Sequence, residues 1–318
     1  MKERRKRNMS RTGLLFMFCL LMLCGCAQIT GFMENTEVSG REVESLAAEK
    51  EDDTVLLGGM PVGIYMETDG VLVLDTEKMT GMDGKEYTPA QGVVSSGDYI
   101  TEVNHQKIEG KKQLMDLVEH LDGEKVLLTV RRENTILEKK LTPVQISKGN
   151  YRLGIWVRDN VQGLGTITFL TKNNRFAALG HGIHDIDTST LLTIKRGTLY
   201  RTSIQKVQKG SKGNPGTMEG IIVYNRFHRL GVIEKNTDAG IYGELNADRS
   251  WIGEEVPIQV AKKEEIKTGE ARIRCYIDGE VKEYTICITQ IDKESDQVNK
   301  GMVIQVTDTE LLEKTGGI

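Results

Sequence analysis

From Tyr151 onward the sequence is a succession of short alternating runs, and few folds accommodate so many of them. They recur at Leu153–Val157, Gly165–Leu170, Leu191–Ile194, Gly220–Tyr224, Glu255–Val260, Ala271–Ile277, Tyr284–Gln290 and Met302–Val306, parted by clusters of Gly, Asn and Asp. Side chains two residues apart share one face of a strand, so each run reads as a half-buried strand. Many such strands at these intervals predict a β-sandwich or barrel. Helical period is scarce, and the expectation for this half is all-β.

The preceding 90 or so residues are patterned differently. Thr54–Leu57, Pro61–Glu67 and Gly70–Leu74 read as short strands separated by glycines, and Asp98–Asn104 (DYITEVN) alternates like a half-buried strand. Lys111–Leu121 places Leu114, Leu117, Val118 and Leu121 on one helical face. Lys125–Arg131 and Thr135–Leu141 then form a hairpin about Glu133-Asn134. This order, with Gly97–Asn104 before the helix, resembles a PDZ domain, a small α/β module in which that helix forms one wall of a peptide groove. His105 stands where PDZ domains usually carry a glycine, which predicts an altered turn. The resemblance implies that Val62-Gly63-Ile64 is the carboxylate-binding loop, whose N–H groups receive a peptide C-terminus while the adjoining strand edge adds the peptide as an extra strand. The other reading is a small module that packs on its neighbour in the same chain.

Charge excludes some partners. Hydrophobic residues are 38% and charged residues 28% of the chain, unlike a polytopic membrane protein or a disordered chain. Residues 1–11 hold six Lys and Arg against one Glu, while the rest carries 36 basic and 45 acidic residues. An acidic body argues against nucleic acid as a partner. The basic cluster runs into the apolar Gly13–Cys24, so residues 1–27 read as a secretory signal or short membrane anchor, the membrane being reached through the N-terminus and the body lying outside the cytoplasm. Leu23-Cys24-Gly25-Cys26 resembles a bacterial lipobox, making Cys26 a lipidation candidate; otherwise it is one more apolar residue of an uncleaved anchor. Residues 28–53 read as a polar, acidic linker.

Cys275 and Cys287 flank Asp278-Gly279, a strong two-residue hairpin signal. That turn sets Cys275 opposite Lys282, too far from Cys287 for a bridge, so two free thiols are expected. No Cys/His set has metal-ligand spacing, and neither a metal nor a cofactor is expected. The segment Phe176–Thr188 (FAALGHGIHDIDT) is the densest in candidate chemistry. Glycine on both sides of His181 lets another segment or a substrate approach the imidazole closely, and a neutral imidazole is the usual general base for a hydroxyl or thiol nucleophile. A satisfied structural histidine at a strand end explains the same pattern. His184, Asp185 and Asp187 read as loop and capping groups, with Asp185 a second candidate for orienting the histidine. Asp308, just before Thr309–Lys314, reads as a helix N-cap.

In chain order, the PDZ-like module (54–145), YRLGIWVRDNVQGLGTITF (151–169), FAALGHGIHDIDT (176–188), GSKGNPG (210–216) and KGMVIQVTDTELLEKTGGI (300–318) together resemble the stage IV sporulation protein B family. These are PDZ-containing serine peptidases of endospore-forming bacteria. The resemblance implies a chymotrypsin-like double β-barrel over 151–318 with the triad order His, Asp, Ser. It places the base on His181 and the orienting acid on Asp308. It further implies export into the forespore intermembrane space and cleavage of a regulator that restrains an intramembrane metalloprotease. That cleavage activates a late mother-cell sigma factor, and family members also cleave themselves. Family members continue past TGGI into a GMSGSP-like segment that holds the nucleophile, and no serine of residues 1–318 stands in a G-x-S-G-x-P setting. The second barrel is therefore expected to lack its last strands, and these 318 residues alone to be inactive. A different class of reading remains, a catalytically dead form serving as a PDZ peptide-binding module or decoy.

Overall fold

The computed structural model describes residues 54–252, 255–295 and 300–316; Cys26, the export segment 1–27 and the linker 28–53 lie outside the described residues. The first strands are β1 (Thr54–Leu57), β2 (Pro61–Thr76), the short pair β3 and β4 (Met79–Thr80, Glu86–Tyr87), β5 (Tyr99–Val103) and β6 (Gln106–Lys107). Helix α1 (Lys111–Glu119) follows, then the hairpin β7–β8 (Val126–Arg132, Thr135–Leu141) and the pair β9–β10 (Val144–Ser147, Asn150–Arg152). Next come β11 (Ile155–Leu170), β12 (Arg175–Ala178), β13 (Ile194–Tyr200), the hairpin β14–β15 (Thr202–Gln208, Thr217–Ile222), and β16–β17 (Arg229–Thr237, Gly240–Leu245). The chain closes with β18 (Pro257–Gln259), β19 (Gly269–Ile277), β20 (Glu280–Ile291), β21 (Met302–Val306) and helix α2 (Thr309–Thr315). The protein is mainly β.

Six of these strands, in the order β11-β12-β17-β16-β13-β2, form a barrel that closes where β2 pairs with β11, every pairing antiparallel. Closure removes the edges that an open sheet leaves unpaired. Val62, Ile64 and Met66 of β2 fill this barrel with Ile167, Phe176, Leu199, Ile233 and Ile241. Each such side chain contributes about 1.5–3 kcal/mol on burial. Further along the same strand, Val71 and Val73 belong to a second core with Ile100, Leu114, Leu128, Val130 and Leu141.

The sequence pattern predicts two strands here, Pro61–Glu67 and Gly70–Leu74, broken at Thr68-Asp69. The structure makes one strand with a bulge: Gly70 has φ +88°, and the Thr68 hydroxyl donates to its carbonyl at 2.7 Å. A Cβ at Gly70 would lie 2.6 Å from the Ile100 carbonyl oxygen. At this bulge β2 changes partner, from β13 (up to Thr68) to β5 (from Val71). The altered turn expected at His105 is present, with Asn104 and His105 both at positive φ between β5 and β6.

The last strands form an open three-stranded sheet, β19-β20-β21. The Asp278-Gly279 hairpin forms as expected, Cys275 pairs with Lys282, and both cysteines are free thiols. Helix α2 packs Leu311 onto Ile277 and Tyr284. Its Lys314 Nζ lies 2.6 Å from Asp278 Oδ2, and its Thr315 carbonyl accepts from the Gly210 N–H at 2.8 Å.

Candidate active site

Strand β12 delivers His181. Beyond Ala178 the chain turns through two successive left-handed residues, Leu179 (φ +72°) and Gly180 (φ +75°). A leucine held there costs on the order of 1–2 kcal/mol, so the surroundings must impose it. Leu179 N–H donates to the Thr166 carbonyl at 3.0 Å, and Gly182 N–H to the Asp238 carbonyl at 3.1 Å. A Cβ at Gly182 would lie 2.5 Å from both the Thr237 carbonyl oxygen and Leu191 Cδ1. Glycine is therefore required beside the histidine by close approach of the β16–β17 turn. The His181 ring is exposed, with Nδ1 3.0 Å from the Gly182 carbonyl oxygen. A carbonyl only accepts, so this bond puts the proton on Nδ1 and leaves Nε2 as the basic nitrogen.

The loop after His181 is pinned at three points. Asp185 is buried (1% exposed) and paired with the Arg158 guanidinium of β11, which also reaches Asp187 Oδ2 at 2.9 Å. The Asp187 and Thr188 N–H groups donate to Asp185 Oδ1 at 3.0 and 2.9 Å. Asn236 of β16 stitches both ends of the loop, accepting from Ile183 N–H and donating to the Ile183 and Leu192 carbonyls. Asp185 is thus spent on Arg158 and the loop backbone, which corrects its candidacy as orienter of the histidine. His184 Nε2 sits 3.7 Å from Asp238 Oδ1 at the surface.

Asp308 is the N-cap of α2: Oδ1 accepts from Leu311 N–H at 3.1 Å and Oδ2 from Thr285 N–H at 3.5 Å. Among the described residues no hydrogen bond or ion pair joins it to His181, so the capping reading is the one this structure realises. Asparagine keeps an acceptor for the Leu311 N–H, whereas alanine does not. Asp308→Ala is expected to cost about 1 kcal/mol of stability and Asp308→Asn much less, read by chemical denaturation. A peptidase defect in the Asn variant beyond its stability loss would show that the carboxylate does more than cap.

Val62-Gly63-Ile64 is a correction. These residues lie in the middle of β2, laddered to β11 on one side (Gly63 opposite Leu164) and to β13 on the other (Gly63 opposite Tyr200). Val62 and Ile64 are 0% and 2% exposed, and a Cβ on Gly63 would collide with the Ile222 side chain. A strand paired on both edges has no amides left for a peptide carboxylate. A candidate groove lies elsewhere. A cleft of about 550 Å³ runs between Leu114, Met115 and Val118 of α1 and the segment Leu153–Val157. Asp159 fixes the helix beside it by accepting from Lys111 N–H at 2.8 Å. From Ile155 to Arg158, β11 is laddered to β2 alone among the described strands, so its other edge faces the helix wall. That is the arrangement into which an extended peptide adds as a strand. Leu153-Gly154-Ile155 repeats the apolar-Gly-apolar pattern of Val62-Gly63-Ile64, and this is the sequence signal that points to it.

A closed barrel presenting a histidine on a pinned loop, and a cleft walled by a helix and an open strand edge, define a mainly β protein with two candidate sites. The chain belongs to the SpoIVB peptidase S55 family, whose model matches residues 149–318. A Helicobacter pylori (strain J99) protein named "Putative zinc metalloprotease" is 28% identical over 180 residues, 49% of this chain and 50% of that protein. The chain therefore spans about half the length of that curated relative. Among the described residues no group of three or more His, Cys, Asp or Glu is placed to hold a metal ion. The solved PDZ domain of an SdrC-like protein from Listeria monocytogenes matches at 24% identity and a TM-score of 0.22, over 28% of this chain and 87% of that one.

Proposed function

We propose that this chain is the body of a serine endopeptidase of sporulation signalling, with His181 as its general base. The observation that carries the reading is the His181 ring itself, exposed on a closed barrel with Nδ1 tied to a backbone carbonyl, within a segment matched by the family. In this reading a serine in a G-x-S-G-x-P setting, C-terminal to the TGGI of residues 315–318, is the nucleophile that gives its proton to Nε2. The groove along α1 holds the protein substrate, a regulator of an intramembrane metalloprotease, or the chain's own cleavage segment. The N-terminal segment exports the body, which works outside the cytoplasm in the forespore intermembrane space.

A second reading has its own support. The groove is lined by Glu77 and by residues between Leu114 and Val157, so a form without the nucleophile would still bind peptide as a scaffold or decoy. One experiment separates the two. The coding sequence is read across codon 318, and its product is treated with a fluorophosphonate probe. An in-frame G-x-S-G-x-P serine that labels supports the endopeptidase. A stop codon at that point, with no labelling, sinks it and leaves the groove as the function.

A further inference from the structure

Residues 201–229 hold six Lys and Arg against a single acidic residue, Glu219, in a body that is otherwise acidic. Just upstream, Lys195 and Arg196 are paired with Glu109 and Glu67. None of the six forms an ion pair among the described residues. The same stretch exposes its apolar side chains: Phe227 is 76% exposed, Ile221 55%, and Val223 and Tyr224 44% each. This tip is held in place. Asn225 Oδ1 accepts from the N–H groups of Phe227 and His228 at 3.0 and 3.1 Å, and Arg201 N–H donates to the His228 carbonyl at 2.7 Å. Tyr224 meets Tyr65 and Tyr200 edge-on at 5.7 and 5.2 Å, and the Arg226 guanidinium lies 4.7 Å from the Phe227 ring centre.

We propose that the Ile221–Arg229 end of this hairpin and loop docks onto an anionic phospholipid surface. Fixed apolar side chains beside Arg226 and Arg229, with Arg201 bonded through its N–H to the same loop, match the boundary between acyl chains and anionic headgroups. There, burial of the apolar tip and attraction of the cations act together. An acidic protein or a nucleic acid would satisfy the cations, but neither calls for a phenylalanine presented to solvent at the tip. The basic and apolar residues 1–24, read above as a signal or anchor, give the body a reason to be near a lipid surface. The inference does not depend on the peptidase reading.

The test uses the full chain with Phe227→Trp in vesicles, taking the difference in tryptophan emission from the parent chain. Brominated acyl chains are expected to quench the introduced indole when phosphatidylglycerol is present and not in phosphatidylcholine alone. Each cation near an anionic surface is worth about fivefold. Arg226→Ala with Arg229→Ala should thus lower the docked-to-undocked ratio about 25-fold, and Glu219→Gln, a change of one charge, should raise it about fivefold. Absence of quenching with phosphatidylglycerol overturns the proposal. So does a response of the introduced indole to polyglutamate or to a DNA oligonucleotide without one to these vesicles.

Discussion

Full-length protein carrying His181→Ala is expected to hydrolyse its peptide substrate on the order of 10⁶-fold more slowly than the parent, the scale of loss when the base leaves a serine-peptidase triad. At neutral pH a serine hydroxyl is a weak nucleophile, and in the proposed mechanism Nε2 is the atom that takes its proton. The same substitution should barely touch stability. The residue is exposed and, among the described residues, its ring bonds only to the adjacent Gly182 carbonyl, so the change belongs with surface substitutions within about 0.5 kcal/mol. Peptidase assay and thermal denaturation on one sample separate the two effects. Full activity in the alanine variant would sink the assignment of His181 as base, whereas lost activity with a large fall in Tm would point to a structural histidine.

Features legible in the sequence are those whose cause is local. Asp278-Gly279 dictates its hairpin and with it the pairing of Cys275 with Lys282, because φ > 0 is needed within two residues. Asp308 declares itself as a cap through the helix-forming TELLEK that follows. Of the two glycines around His181, Gly182 signals close approach, and the structure supplies the approaching group, the Thr237 carbonyl. Gly180 has open space beside it and serves its left-handed φ. The misreadings share a different cause. Thr68-Asp69 parts two strand patterns in the sequence, yet β13 and β5, more than 90 residues apart in the chain, hold β2 continuous across it. Val62-Gly63-Ile64 and Leu153-Gly154-Ile155 look alike locally. What separates them is the number of strands beside each, set by segments about a hundred residues away. Arg158 gave no signal because its partner, Asp185, lies 27 residues on.

Arg158→Ala should cause the largest loss of stability. The Asp185 side chain is fully buried, and the guanidinium is the positive charge beside it. Removing one partner of a buried pair leaves an uncompensated charge and costs about 3–5 kcal/mol. The Asp187 and Thr188 N–H groups still donate to Oδ1, which favours the lower end of that range. At about 2–4 °C per kcal/mol for a domain of this size, Tm should fall by about 6–12 °C. If the stranded charge is the cause, adding Asp185→Asn should restore part of the loss, since the amide oxygen keeps both N–H partners without a charge. The double variant is expected to be about 1 kcal/mol or more above Arg158→Ala alone, measured as a double-mutant cycle in denaturant. Equal stability of the two would mean that the cost lies in lost packing of the arginine. The loop also carries His181, and Arg158 directly follows the groove residues Ile155–Val157 on β11. One guanidinium therefore ties the histidine's loop to the strand that walls the groove. The double variant, refolded but without that tie, should bind peptide in the groove as the parent does and turn it over more slowly.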